Sequence, residues 1–232
     1  MTATPSTPHD ADLPPGFAWR GVAEVTTGVA ERGFTIDVAG RSGGETIPGV
    51  LWAPADVATR AVPTRVVAPL PLVLMGHGGQ SHKRSDRMAA IGRRLVRRQG
   101  VLAAAIDQID HGERGPLTED SDDTGDGRYR AMWQRPGIVA QSTAQWRAVT
   151  RALAALPQVD AARIGYWGLS MGTMFGMPFV AEEPLVRAAV LGLAGLTGPS
   201  VERSGIAPHL EAARAADRVP RAVGGAVGRR AL

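Results

Sequence analysis

Between residues 71 and 195, short apolar runs alternate with amphipathic stretches across compact turns. "PLVLMGHGG" (71–79) is an apolar run stopped by glycines, as a strand buried on both faces should be. "SDRMAAIGRRLVRRQG" follows, with Met88, Ile91 and Leu95 at helical spacing, Ser85 as a candidate N-cap and Gly100 as a stop. "VLAAAIDQID" reads as the next strand, running out into "HGERG". "IVAQSTAQWRAVTRALAALP" predicts a helix with Val139, Trp146, Val149 and Leu153 on one face. "ARIGYWG", "SMGTMFGMPFVAEE" and "VRAAVLGLAGL" then read as strand, helix and strand. Such alternation requires a parallel sheet with helices on both faces. Upstream, "WRGVAEVTTG" and "GFTIDVAGR" alternate with period two and predict antiparallel strands, and "ETIPGVLWAPAD" a third extended segment. The fold class is therefore α/β, mostly parallel with antiparallel N-terminal strands.

In such a sheet, functional groups collect at the carboxyl ends of the strands. One inferred strand ends in Gly168-Leu169-Ser170-Met171-Gly172, a G-x-S-x-G pattern between strand and helix. A nucleophile that must stand clear of a sheet needs a strained turn, and glycines at 168 and 172 remove the Cβ atoms that would clash. Ser170 then heads a helix whose free N–H groups favour a developing oxyanion, with the amide of Met171 nearest the charge. The plainer alternative is that Ser170 is only an N-cap.

A second strand ends in Gly76-His77-Gly78-Gly79. Acyl transfer needs a second backbone donor opposite the first, and we assign it to the amide of Gly79. Each such hydrogen bond is worth on the order of 3 kcal/mol in the transition state. His77 tempts as a base, but its place favours a buried turn histidine. Asp110 and His111, in "DQIDHGERG", form a possible acid–base pair; as neighbours on an extended segment they would point to opposite faces.

"HGG" followed by "GLSMG" resembles the α/β-hydrolase superfamily. "IPGVLWAPAD", "PLVLMGHGG", "AIDQIDHGERG" and "GYWGLSMGTMFG" together are similar to its dienelactone-hydrolase-like esterase branch, over about residues 20 to 198. The resemblance implies Ser170 as nucleophile, the amides of Met171 and Gly79 as oxyanion hole, a small ester-like substrate and no cofactor or metal. It also implies an acid and then a histidine beyond the strand at 186–196. The remaining segment offers Glu202, Glu211, Asp217 and one histidine, His209, inside what reads as a helix. The last two strands, the acid and the histidine of the family are thus not recognisable. The change to Arg, Gly and Ala near residue 218 reads as a truncation or a shifted frame, leaving activity doubtful. The alternative is an inactive hydrolase-fold fragment or an interaction module that self-associates through an open sheet edge.

The chain divides into a Pro-rich lead-in (1–16), the hydrolase domain (17–217) and an Arg/Gly/Ala tail (218–232). Without cysteine or an apolar N-terminal leader, a cytoplasmic setting is expected. A net charge of +4 and a pI near 10.5 invite a nucleic-acid reading. The basic residues are spread out, however, and "RRLVRR" (93–98) sits on a helix whose Leu95 and Val96 face the core, so neither nucleic acid nor membrane is expected as a partner. Residues 113–137 are polar with no clear period, and "LTEDSDDTGDGRYR" (117–130) within them reads as a solvated, mobile lid. Asp120, Asp122 and Thr124 there shadow a calcium loop, but Ala131 stands where Glu is needed. Met132 and Trp133 would line the pocket or anchor the lid.

Overall fold

The computed structural model describes residues 13–40, 43–58, 68–115, 126–193 and 208. The amphipathic N-terminal runs form β1 (Phe17–Thr26), β2 (Val29–Gly40) and β3 (Gly43–Pro54), joined antiparallel, followed by the single turn α1 (Ala55–Ala58). The alternating region supplies β4 (Leu70–Gly76), α2 (Asp86–Gln99), β5 (Leu102–Ile106), α3 (Asp126–Gln134), α4 (Ile138–Ala154), β6 (Val159–Leu169), α5 (Met171–Glu182) and β7 (Val186–Gly192). Among the described residues these strands make one sheet in the order β1-β2-β3-β5-β4-β6-β7. β3 meets β5 antiparallel; β4 pairs parallel with β5 and β6, and β6 with β7. The carboxyl ends of β4, β5, β6 and β7 therefore lie along one margin of the sheet.

Side-chain alternation sets the two faces. Leu72 and Leu74 of β4 turn toward α4, where Trp146, Val149 and Leu153 pack with Ile164 and Tyr166. Met75, one residue out of phase, packs instead with Trp52, Met88 and Val96 on the α2 side. A third cluster caps the sheet margin, joining Met171 and Phe175 to Met132, Ile138 and Ile109.

Three local expectations change. The segment at 113–137 is not uniformly irregular. It holds a 3-10 turn at Gly112–Arg114 and the helix α3, in which Met132 is buried and Trp133 stacks on Phe175 with ring centroids 4.4 Å apart. The aromatic and sulfur contacts are with residues of α5, far in sequence, so no local period reveals the helix. Ser85 occupies the N-cap position of α2 but makes no side-chain cap bond. Its buried hydroxyl has no partner among the described residues. Finally, the chain does not run extended through Asp110 but turns at Ile109–Asp110, with His111 extended again beyond it. The amide of His111 closes a turn onto the carbonyl of Gln108 at 3.0 Å, and Asp110 is left-handed, with φ of 62°.

Candidate active site

At the β6–α5 junction the apolar strand must reverse into a helix within one residue. Ser170 takes the whole bend, with φ of 52° and ψ of −113°, a region that ordinary side chains avoid. Its amide donates to the carbonyl of Gly192 on β7 at 2.8 Å, and its carbonyl accepts from Thr173 and Met174 at 2.9 and 3.0 Å. The backbone is thus pinned on both sides, while the side chain makes no capping bond. Ser85 of α2 likewise makes no cap bond, but it sits at φ −56° and ψ 154°, so it is the positive φ that sets Ser170 apart.

The glycines are required by close approach. A Cβ on Gly172 would stand 2.1 Å from the carbonyl oxygen of Gly76 and 2.9 Å from that of His77. One on Gly168 would stand 2.6 Å from the carbonyl oxygen of Gly172. The elbow therefore lies directly against the end of β4, consistent with the pairing of Gly76 with Gly168. No described carbonyl accepts from the amides of Gly79 or Met171. Two residues that sequence reasoning passed over hold the elbow from below. Tyr166, buried on β6, donates its hydroxyl to the carbonyl of Gly172 at 2.6 Å. Burial also pushes its phenol well above the usual range, keeping it a donor. The Thr173 hydroxyl lies 2.9 Å from the carbonyl of Gly168 and 2.7 Å from that of Gly192.

His77 is fully buried and both ring nitrogens are engaged. Nε2 accepts from the amide of Gln108 at 3.0 Å, which leaves Nδ1–H to donate to the carbonyl of Gly78 at 2.7 Å. Burial pushes it down to about 4, so it is neutral at pH 7. It holds a loop, as expected, and has no free lone pair. His111 is also buried, 5.4 Å from His77 between ring centroids. Its Nδ1 bonds the carbonyl of Ile109 at 2.8 Å, and its Nε2 has no partner among the described residues. Burial lowers its pKa too, against the opposing pull of the Ile109 carbonyl. Asp110 does not bond His111: its carboxylate pairs with Arg135 at 2.7 Å. His209, Glu202, Glu211, Asp217, the calcium-loop positions 120–124, residues 1–12 and the tail at 218–232 lie outside the described residues.

The structure also joins side chains that no motif links. Lys83, the only lysine of the chain, is buried against Asp107 at 2.6 Å and reaches Glu113 at 2.5 Å. Burial raises the Glu113 carboxyl, but Lys83 and Arg20 outweigh it and hold the group below the usual carboxylate range. A cleft of about 460 Å³ runs beside this loop, lined by Gly78, Gly79, Ser85, Met88 and Leu169. It stops one residue short of Ser170. A second cleft, of about 410 Å³, is lined by paired charges including Arg20, Glu45, Asp110 and Arg135. Each of those four charges is paired with an oppositely charged neighbour, and the first cleft also carries Asp86 and Arg87 at its wall.

A solved cold-adapted esterase from an Arctic intertidal metagenomic library shares 35% identity with this chain, at a TM-score of 0.62. The match covers 83% of this chain and 73% of that one. The chain belongs to the α/β-hydrolase esterases. More distant members share the fold alone. Acetyl xylan esterase 1 from Thermoanaerobacterium sp. matches at 14% identity and a TM-score of 0.55, over 86% of this chain and 62% of its own. A Bacteroides fragilis protein described as an acetyl xylan esterase matches at 16% and 0.54, over 75% and 47%. No protein-family model and no curated protein matches the chain. Among the described residues of this α/β-hydrolase chain, no helix is long and apolar enough to cross a membrane.

Proposed function

We propose that this chain hydrolyses a small carboxylic ester through Ser170. The observation carrying this reading is the backbone of Ser170, held left-handed between β6 and α5 with its hydroxyl not spent on a cap. The Oγ attacks the ester carbonyl; as the Oγ–C bond forms, the carbonyl π pair becomes an oxyanion and the hydroxyl proton passes to a base. The amides of Met171 and Gly79 receive the oxyanion, each worth on the order of 3 kcal/mol. Collapse breaks the bond to the leaving oxygen, which takes the proton from the base and departs as the alcohol. Water then attacks the acyl-enzyme in the same way, releasing the acid and returning the proton to Ser170.

The base is the open element of the scheme. His77 has both ring nitrogens engaged in the loop, which speaks for a structural role. His111 has the tautomer a base requires, with Nδ1–H held and Nε2 unengaged. His209 is the other candidate. An enzyme lacking any effective base would retain only about one millionth of its turnover. A fluorophosphonate probe separates these cases: the wild type labels, Ser170→Ala does not, and loss of labelling in His111→Asn or His209→Ala identifies the base. Unlabelled, folded wild-type protein removes the hydrolase reading.

One observation favours the second reading, an inactive module that pairs through a sheet edge. Among the described residues β7 pairs only with β6, and Val190 and Leu193 are 64% and 80% exposed.

A further inference from the structure

The loop that follows β4 is fastened at both ends to one neighbouring loop. At its start, His77 Nε2 accepts the amide of Gln108 at 3.0 Å. At its end, Lys83 binds Asp107 twice: its amide donates to Oδ1 at 2.8 Å and its ammonium to Oδ2 at 2.6 Å. Residues 78–82, including Gly79, are a short bridge between two anchors that share adjacent residues of the β5 loop. Asp107 is fully buried, and its Oδ2 also accepts the amide of Glu113 at 2.9 Å. The carboxylate therefore takes three hydrogen bonds, from the amide and ammonium of Lys83 and the amide of Glu113. Gly112 makes room for it, since a Cβ there would lie 2.4 Å from the carboxylate. The other charges around the pair are Glu113, which accepts from the Lys83 ammonium at 2.5 Å and is reached by Arg20, and Arg114, which donates to the carbonyl of Asp107 at 3.0 Å.

A buried pair of opposite charges is a poor source of net stability, because desolvation offsets the attraction, but moving one partner away leaves an uncompensated buried charge and is costly. The loop it ties down is the glycine-rich segment that carries a candidate oxyanion donor. We propose that Lys83 and Asp107 are positioning residues that hold the 78–82 bridge, and with it the Gly79 amide, in place to receive the oxyanion. The role given to that amide rests on the ester-hydrolase reading; the clamp itself does not. Lys83 and Asp107 touch no substrate and act only through the loop.

Amide hydrogen exchange on the full chain tests the clamp without reference to activity. In the wild type, the amides of Lys83 and Glu113, although in loops, exchange at least about 100-fold more slowly than free amides, because both are bonded to a buried carboxylate. In Asp107→Asn, which keeps the shape but removes the charge, exchange across 78–83 rises at least about tenfold while that of 171–182 is unchanged. Lys83→Met gives the same pattern, and Lys83→Arg restores part of the protection. On p-nitrophenyl acetate the Asp107→Asn enzyme loses kcat by about 10- to 100-fold with KM nearly constant, since a misplaced oxyanion donor costs the transition state and not the ground state. Unchanged exchange across 78–83 in a folded variant, or a rise in KM at constant kcat, overturns the proposal. Should the variants not fold, the wild-type amides decide: unprotected Lys83 and Glu113 overturn it, and protected ones support it. A wild type that neither labels with fluorophosphonate nor turns over ester sinks the hydrolase reading, and the exchange measurement still judges the clamp.

Discussion

Ser170 sits at φ 52° and ψ −113° because two hydrogen-bonded elements leave it no other way to join them. Such a conformation costs a non-glycine residue on the order of 1–3 kcal/mol. Ser170→Gly should therefore be more stable than Ser170→Ala by about 1 kcal/mol in urea denaturation, once the added freedom of glycine in the unfolded chain is subtracted. Equal midpoints would mean that the elbow is relaxed. His77 makes a second residue-scale prediction. Its native pKa of about 4 lies below the ordinary 6.5, so between those values the unfolded chain binds the extra proton. The stability due to neutral His77 is complete above pH 6.5 and is lost as pH falls toward 4, by on the order of 3 kcal/mol at the acid end. His111 shifts in the same sense. Urea midpoints measured from pH 7 to 4.5 should fall steadily, and a flat profile would show that the buried rings titrate normally.

At the scale of elements, α3 depends on what it leans against. Its sequence, "DGRYRAMWQ", has a weak apolar stripe. Its order comes from Met132 buried in the cluster with Met171, and from the Trp133 ring on Phe175. Because Phe175 belongs to α5, the helix headed by Ser170, this contact couples α3 to the bend at Ser170. Trp133→Ala should lower stability by about 2–3 kcal/mol and increase amide exchange in α3 more than in α4. A uniform change in both helices would show that α3 is held by something else. In α2 the reverse holds. The spacing of Met88, Ile91 and Leu95 marks the packed side of the helix, on which Met88, Gly92 and Val96 are buried and Ile91 and Leu95 partly so. Gly100, left-handed, ends the helix as its sequence requires.

Across the whole molecule, the parallel strands bring their carboxyl ends to a common margin, and both glycine-rich turns meet there. The two outer strands differ. β1 carries Val22 and Val25 exposed at 85% and 52%. β7 is exposed through most of its length, with Val190 at 64%. Self-association through the β7 edge predicts an elution volume that falls with loading concentration in size-exclusion chromatography, and Val190→Lys should abolish that dependence. A monomer at all concentrations would exclude this mode of pairing.

Features encoded within a few neighbouring residues are legible in the amino-acid order alone. The strand–helix alternation, the buried faces of α2 and α4, and the elbow at 168–172 all follow from periods of two or 3.6 and from glycines where a Cβ cannot fit. A pentapeptide in the right context contains most of its own geometry. What only the folded chain decided are pairings between distant positions: Lys83 with Asp107, His77 with Gln108, Trp133 with Phe175, Tyr166 beneath Gly172. None has a local signature, because a lysine or a tyrosine looks the same in sequence whether solvated or buried. Whether a polar side chain is spent on structure or left for chemistry depends on which groups the sheet brings within about 3 Å of it, and the sheet joins residues that lie far apart along the chain.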